Sequence, residues 1–197
     1  MDDFFNNVQS CTKCSRLCKI TPIKIIHNYI NTNGSIFVIG RNPGIHSEKY
    51  PALNNEEFVK YHNNFYFKSA FAKYVLKHIK IEEAYFTNFV KCESPNNSEL
   101  TDEEYLNCSE YLKYQLDKFK PKKILFFSKA LIKPFKKIFS IDLDIECLKE
   151  YEVELKLNST VINTKVIFLM HPSYLRRNIG SNIDIKQNNF LEQCMKF

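Results

Sequence analysis

At 197 residues and 44% apolar content, the chain is long enough to bury one self-supporting core. Lys and Arg outnumber Asp and Glu by 28 to 22, and the resulting net charge of +6 suits a polyanionic partner without requiring one. No stretch approaches the roughly twenty apolar residues of a membrane span, and the opening "MDDFFNNVQS" lacks the basic and apolar regions of a secretion signal. A single domain over residues 1–197 is therefore expected: soluble, cytoplasmic, monomeric and without a membrane partner.

In chain order, residues 1–34 are irregular and read as an N-terminal arm around the first cysteines. The apolar run Ile36 to Gly40 predicts a buried strand. Phe67, Phe71, Tyr74, Val75 and His78 recur at helical spacing and predict a helix over 65–79. A second strand is predicted over 84–91, and Thr101-x-x-Glu104 is a capping box that opens a helix over 101–119. A third strand over 123–128, a helix over 129–139 and a fourth strand over 165–170 follow, with "YEVELKL" at 151–157 as a short extra strand. This alternation predicts an α/β fold, three layers α/β/α around a central four-stranded parallel sheet.

Each chemically interesting cluster falls just after a predicted strand: Gly40 to Gly44, Asn88 to Cys92, Ser128, and His171-Pro172-Ser173. In a doubly wound sheet those four ends share one edge, where ligands bind. Gly40-x-x-x-Gly44 is no phosphate loop, because Ile45, His46 and Ser47 follow it rather than Gly-Lys-Ser/Thr. His171 stands at the mouth of the sheet, and the segment after it turns basic at Arg176 and Arg177, which can meet phosphates. Tyr174 and Leu175 supply apolar bulk of the kind that opens a duplex.

Seven cysteines in a chain without a secretion signal do not suggest a complete disulfide framework. Cys11-x-x-Cys14 can grip one metal from a tight turn, and Cys92 and Cys108, with fifteen residues between them, are the best candidates to complete a four-thiolate site. Cys18, Cys147 and Cys194 are left over. From the residues alone, zinc and an iron–sulfur cluster compete.

Together, Cys11-x-x-Cys14, "GRNPG", "FTNFVKC", Cys108 and "HPSYLRR" resemble, in order and spacing over residues 11–177, the uracil-DNA glycosylase superfamily, closest to the iron–sulfur family 4. The resemblance implies a DNA partner, a flipped nucleotide, and hydrolysis of its N-glycosidic bond by a monofunctional enzyme that leaves an abasic site. It also implies a structural [4Fe–4S] cluster on Cys11, Cys14, Cys92 and Cys108, with zinc as the alternative. By the same resemblance, Asn42 positions the water and His171 donates to O2 of the departing base. Gly40, Arg41, Gly44, Asn88 and Ser173 line the substrate site, and Tyr66, with Phe65 and Phe67 as rivals, stacks on the base. Pro172 and Ser173 grip a flanking phosphate, Leu175 with Tyr174 or Arg176 fills the gap left by the flipped base, and Arg177 joins the DNA contact.

Two departures bear on substrate. Family 4 usually carries Glu then Ala after the first glycine of this loop, where the present chain has Arg41 and Asn42; Gly-x-Asn-Pro-Gly instead looks like the mismatch-specific and single-strand-selective branches. Gly44 stands where the classical enzymes carry a tyrosine against C5 of the base, so a 5-substituted pyrimidine, such as a glucosylated hydroxymethylcytosine in phage DNA, becomes a rival to uracil and implies antiviral defence. A third expectation is an inactive DNA-binding module of the same fold.

Overall fold

The computed structural model describes residues 2–19, 35–43 and 70–195. Within these, α1 (Asp2–Gln9) and α2 (Ser15–Cys18) precede β1 (Ile36–Gly40), then come α3 (Ala70–Val75), β2 (Ala84–Asn88), α4 (Asp102–Phe119) and β3 (Lys123–Phe126). The chain continues through α5 (Ile132–Phe139), β4 (Glu150–Lys156), β5 (Val161–Phe168), α6 (Pro172–Arg177) and α7 (Asn182–Cys194). The strands form one sheet in the order β2-β1-β3-β5-β4.

Alternation along the central strands makes the three layers. Phe37 and Ile39 of β1 pack on one face with Leu112 and Leu116 of α4 and Phe135 of α5, while Ile36 and Val38 pack on the other with Val75 of α3 and Leu191 of α7. Both faces are covered, so the parallel strands read as continuous apolar runs.

The four expected parallel strands form the body of the sheet, and the short extra strand anticipated at 151–157 adds to them. The extra strand is real and long, and β4 pairs antiparallel with β5 from Glu150↔Ile167 to Lys156↔Val161, so the sheet has five strands. That hairpin starts β5 at Val161, four residues earlier than its apolar core suggests, because Val161 to Thr164 alternate exposed and buried against β4. The second strand ends at Asn88 rather than at 91, although Phe89 N–H still donates to Gly40 C=O (2.8 Å) and Val90 N–H to Arg41 C=O (3.0 Å).

The capping box forms as read: Glu104 N–H donates to Thr101 Oγ1 (3.2 Å) and Thr101 N–H to Glu104 Oε2 (2.8 Å). Glu104 also receives Arg16 through Nε (2.9 Å) and Nη2 (2.7 Å), which ties the N-terminal arm to the start of α4. Burial by itself raises the Glu104 carboxyl, but Arg16 and Thr101 outweigh it and hold the group below its ordinary value.

Candidate active site

β1, β2, β3 and β5 run parallel in register, Gly40 opposite Asn88 and Phe126 opposite Phe168, so their exits lie along one edge. Gly40 is needed there for space. A Cβ on it would fall well inside contact distance of Asn88 Oδ1, so the missing side chain lets Asn88 fold over the end of β1. Asn88 is 8% exposed, a polar group at the floor of the edge.

Beneath Asn88 lies a buried polar network. Lys91 Nζ donates to Asn88 C=O (2.5 Å), Thr87 Oγ1 (2.8 Å) and Gln115 Oε1 (2.7 Å), and Gln115 Nε2 donates to the Tyr85 hydroxyl (3.1 Å). Burial lowers the Lys91 ammonium to about 8, with the Cys108 sulfur acting the other way. The three neutral acceptors hold the turn after β2 against α4, and Lys91 N–H donates to Cys108 Sγ (3.2 Å). Neither Lys91 nor Gln115 stands out in the sequence, because nothing local marks a buried polar group.

Of the "GRNPG" loop, Gly40 to Pro43 fall within the described residues. Arg41 Nε donates to Asn42 Oδ1 (2.9 Å), and Asn42 Nδ2 donates to Ser94 Oγ (3.2 Å) and Pro43 C=O (3.1 Å). The second motif thus comes to the first through Ser94, a residue beyond the expected "FTNFVKC". Gly44 and the expected stacking residues Phe65, Tyr66 and Phe67 lie outside the described residues.

His171 caps α6. Its Nδ1 accepts from Ser173 N–H (3.1 Å) and sits 2.7 Å from Ser173 Oγ. An Nδ1 that accepts a backbone N–H carries no proton, so the neutral ring holds its hydrogen on Nε2, which is then its donor. Burial first, and then the charges of Arg41 and Arg177, lower the ring to about 4. Phe71 of α3 stacks on it, centroids 5.5 Å apart and planes 14° from parallel. Gln187 of α7 fixes the approach, accepting from Met170 N–H (2.7 Å) and donating to Met170 C=O (3.0 Å).

Two expected DNA contacts take different places. Leu175 is only 2% exposed and packed inward, since the helix begun at His171 turns it toward the core, whereas Tyr174 is 44% exposed. The Ser173 side chain, expected on a phosphate, is engaged with His171. Pro172 is buried at the first position of α6, and Arg176 and Arg177 are exposed in its last turn.

Cys92 and Cys108 are core residues, with Cys11 and Cys14 packed against the same cluster. Asn107 Nδ2 donates to Lys13 C=O (3.3 Å) and lies 3.6 Å from Cys14 Sγ, so α4 receives the arm beside its own cysteine. The arm also carries Cys18, whose thiol donates to Cys11 C=O (3.3 Å). Cys11 and Cys14 lie near enough to Cys108 to act on its thiol, and four soft sulfur donors in this part of the core fit a thiolate-bound metal group in kind. Among the described residues no three His, Cys, Asp or Glu side chains draw together closely enough to hold an ion. Burial pushes the Cys108 thiol up to about 11 and also raises Cys14. Cys147 and Cys194 are half-buried thiols packed against the apolar clusters.

No helix among the described residues is long and apolar enough to cross a membrane. A family model described as the uracil DNA glycosylase superfamily matches residues 27–196. The chain is also 30% identical over 183 residues to the type-4 uracil-DNA glycosylase of Archaeoglobus fulgidus, covering 88% of this chain and 81% of that protein.

Proposed function

Since the chain belongs to the uracil DNA glycosylase superfamily and is a DNA glycosylase, a hydrolase of N-glycosidic bonds, we propose that it flips a uracil or a modified pyrimidine from DNA and hydrolyses its glycosidic bond, leaving an abasic site. The observation that carries this reading is the fixed neutral imidazole of His171 on the edge shared with Asn42 and Asn88. Negative charge develops on O2 of the base as the bond breaks. A donor already oriented toward it stabilises that charge without reorganisation, worth about 3 kcal/mol in a dry site.

Asn42 is the residue that orients the attacking water. An amide does not ionise, so it is a poor general base, and the bond breaking must come first from an oxocarbenium-like sugar and a stabilised leaving base. Asn88, pressed over Gly40, reads the edge of the base. Tyr174 rather than Leu175 enters the space vacated in the duplex, supported by its exposure beside Arg176 and Arg177, which meet the phosphates.

Cys11, Cys14, Cys92 and Cys108 would hold a [4Fe–4S] cluster, which supplies a structural tie among the arm, the end of β2 and α4. Thiolates suit zinc and iron–sulfur alike, and it is the likeness to a type-4 enzyme that favours the cluster. An anaerobic preparation is expected to be brown; a colourless one containing zinc would overturn the cluster assignment.

Uracil is the default substrate. A 5-substituted cytosine is the second reading, favoured by Gly44, which puts no side chain beside C5, and by an Asn88 amide able to face either base. Base release from DNA carrying uracil, a G·T mismatch, hypoxanthine, 5-hydroxymethylcytosine or its glucosylated form separates these. Release of at least one, abolished in His171→Ala, is expected; release of none would leave the inactive DNA-binding module.

A further inference from the structure

Arg41 occupies a position with no obvious use in the chemistry, yet its side chain is tightly specified. Its carbonyl accepts Val90 N–H (3.0 Å), which anchors the residue in the extended ladder of β1 and β2. From there Nε reaches Asn42 Oδ1 (2.9 Å) and Nη2 reaches Asn97 C=O (3.4 Å). The second acceptor is available because Asn96 and Asn97 adopt left-handed backbone, φ 50° and 54°, curling the loop after Ser94 toward the arginine. Asparagine tolerates this conformation best among residues with a side chain.

The consequence falls on Asn42. Its Nδ2 donates to Ser94 Oγ and Pro43 C=O while its Oδ1 accepts from Arg41. Turning the amide over would place NH₂ against the Arg41 N–H and oxygen against a carbonyl, so one orientation is selected. Of the two lone pairs on Oδ1, one is taken by Nε and one remains for a water.

We propose that Arg41 is the positioning residue of the water site, holding the Asn42 amide with its oxygen toward the attacking water. This rests on the reading of Asn42 as the water-orienting residue. Lysine cannot replace it, because it carries a methylene where arginine carries Nε, so no donor stands at the point that reaches Asn42 Oδ1.

The experiment is a double-mutant cycle in the cluster-loaded protein, read as single-turnover base release from uracil-containing DNA, with the Asn42 side-chain amide followed by NMR. Read at saturating enzyme, so that lost DNA affinity does not enter, Asn42→Ala is expected to slow release about 100-fold and Arg41→Met about 10-fold. The double variant is expected to be no slower than Asn42→Ala, since Arg41 acts through it. Arg41→Gln, which can still donate to Oδ1 without carrying charge, is expected to recover most of the loss, whereas Arg41→Lys is not. The amide resonances of Asn42 are expected to shift in Arg41→Met and to stay near wild type in Arg41→Gln, a readout that needs no turnover. Multiplying losses in the double variant, equal losses in Arg41→Gln and Arg41→Met, or unmoved amide resonances would overturn the positioning role while leaving Asn42 in place. Unchanged release in Asn42→Ala would instead remove the water-orienting reading, and the role of Arg41 with it.

Discussion

The exit edge of the sheet and its β4–β5 flank both gather cations, and they treat them differently. On the flank, Lys123 meets Glu150 (3.0 Å) and Lys165 meets Glu150 (2.8 Å), with Glu152 nearby (3.8 Å). At the exit edge, Arg41 and Lys91 are held by amide, hydroxyl and carbonyl oxygens, with no ion pair to either among the described residues. Paired charges cancel at a distance. Those solvated by neutral dipoles keep their field, so the exit edge projects positive potential, which suits the DNA phosphates and the departing base of the proposed reaction.

The sharpest way to break this contrast is to disturb the edge without touching a charge. Gly40→Ala forces Asn88 off the end of β1, and release is expected to fall about 100-fold, as displacement of a positioned group by about 1 Å does. Thermal unfolding should change far less; if stability and activity fell together, the glycine would be structural only.

Removing a buried charge comes next. Lys91→Met removes the ammonium that donates to Asn88 C=O, Thr87 Oγ1 and Gln115 Oε1 and leaves Gln115 Oε1 with the Thr87 hydroxyl alone (3.2 Å), which should cost about 2 kcal/mol and lower Tm by about 6 °C. A Tm at or above wild type would mean that the network adds no net stability.

The pH profile sharpens the comparison further. The His171 ring lies at about 4 instead of 6.5, so its neutral form, and the activity that needs it, persists above that value and is lost as pH falls through it. Between these values the unfolded chain takes up a proton that the folded ring refuses, so stability also declines as pH drops from 6.5 toward 4. In Arg41→Gln the acidic limb is expected to move upward, because one of the depressing charges is gone; an unmoved limb would assign the shift to burial and Arg177.

The smallest effect belongs to the flank. Glu150 is held below its ordinary value by Lys165 and Lys123 against the opposing effect of burial, so its stabilisation is present above the ordinary carboxylate range and fades as pH falls through the lowered value. Glu150→Gln should cost about 1 kcal/mol near neutrality and leave base release within about twofold. A large loss of activity would mean that the two regions are not electrically separate.

Much of the edge is legible in the amino-acid sequence because it depends on local signals. Apolar runs such as Ile36 to Ile39 and Ile124 to Phe127 mark strands buried on two faces, Thr101 and Glu104 mark a helix start, and four polar clusters follow four strand ends. What escapes depends on contacts between distant segments. The alternation in 151–157 indicates a strand but not its antiparallel partner 161–168, and the helical phase set by the His171 cap, rather than composition, turns Leu175 inward. Gln115, Gln187 and Ser94 are ordinary polar residues until the fold places Lys91, Met170 and Asn42 against them. Adjacent asparagines at 96 and 97 are the one local hint of the turn that receives Arg41.

The most direct test of the exit edge as the reaction centre is single-turnover release of free base from the DNA panel, wild type against His171→Ala. Release of uracil or a modified pyrimidine with an abasic product, slowed at least about 100-fold in the variant, is the expected result. Release at the wild-type rate without the imidazole would place the chemistry elsewhere.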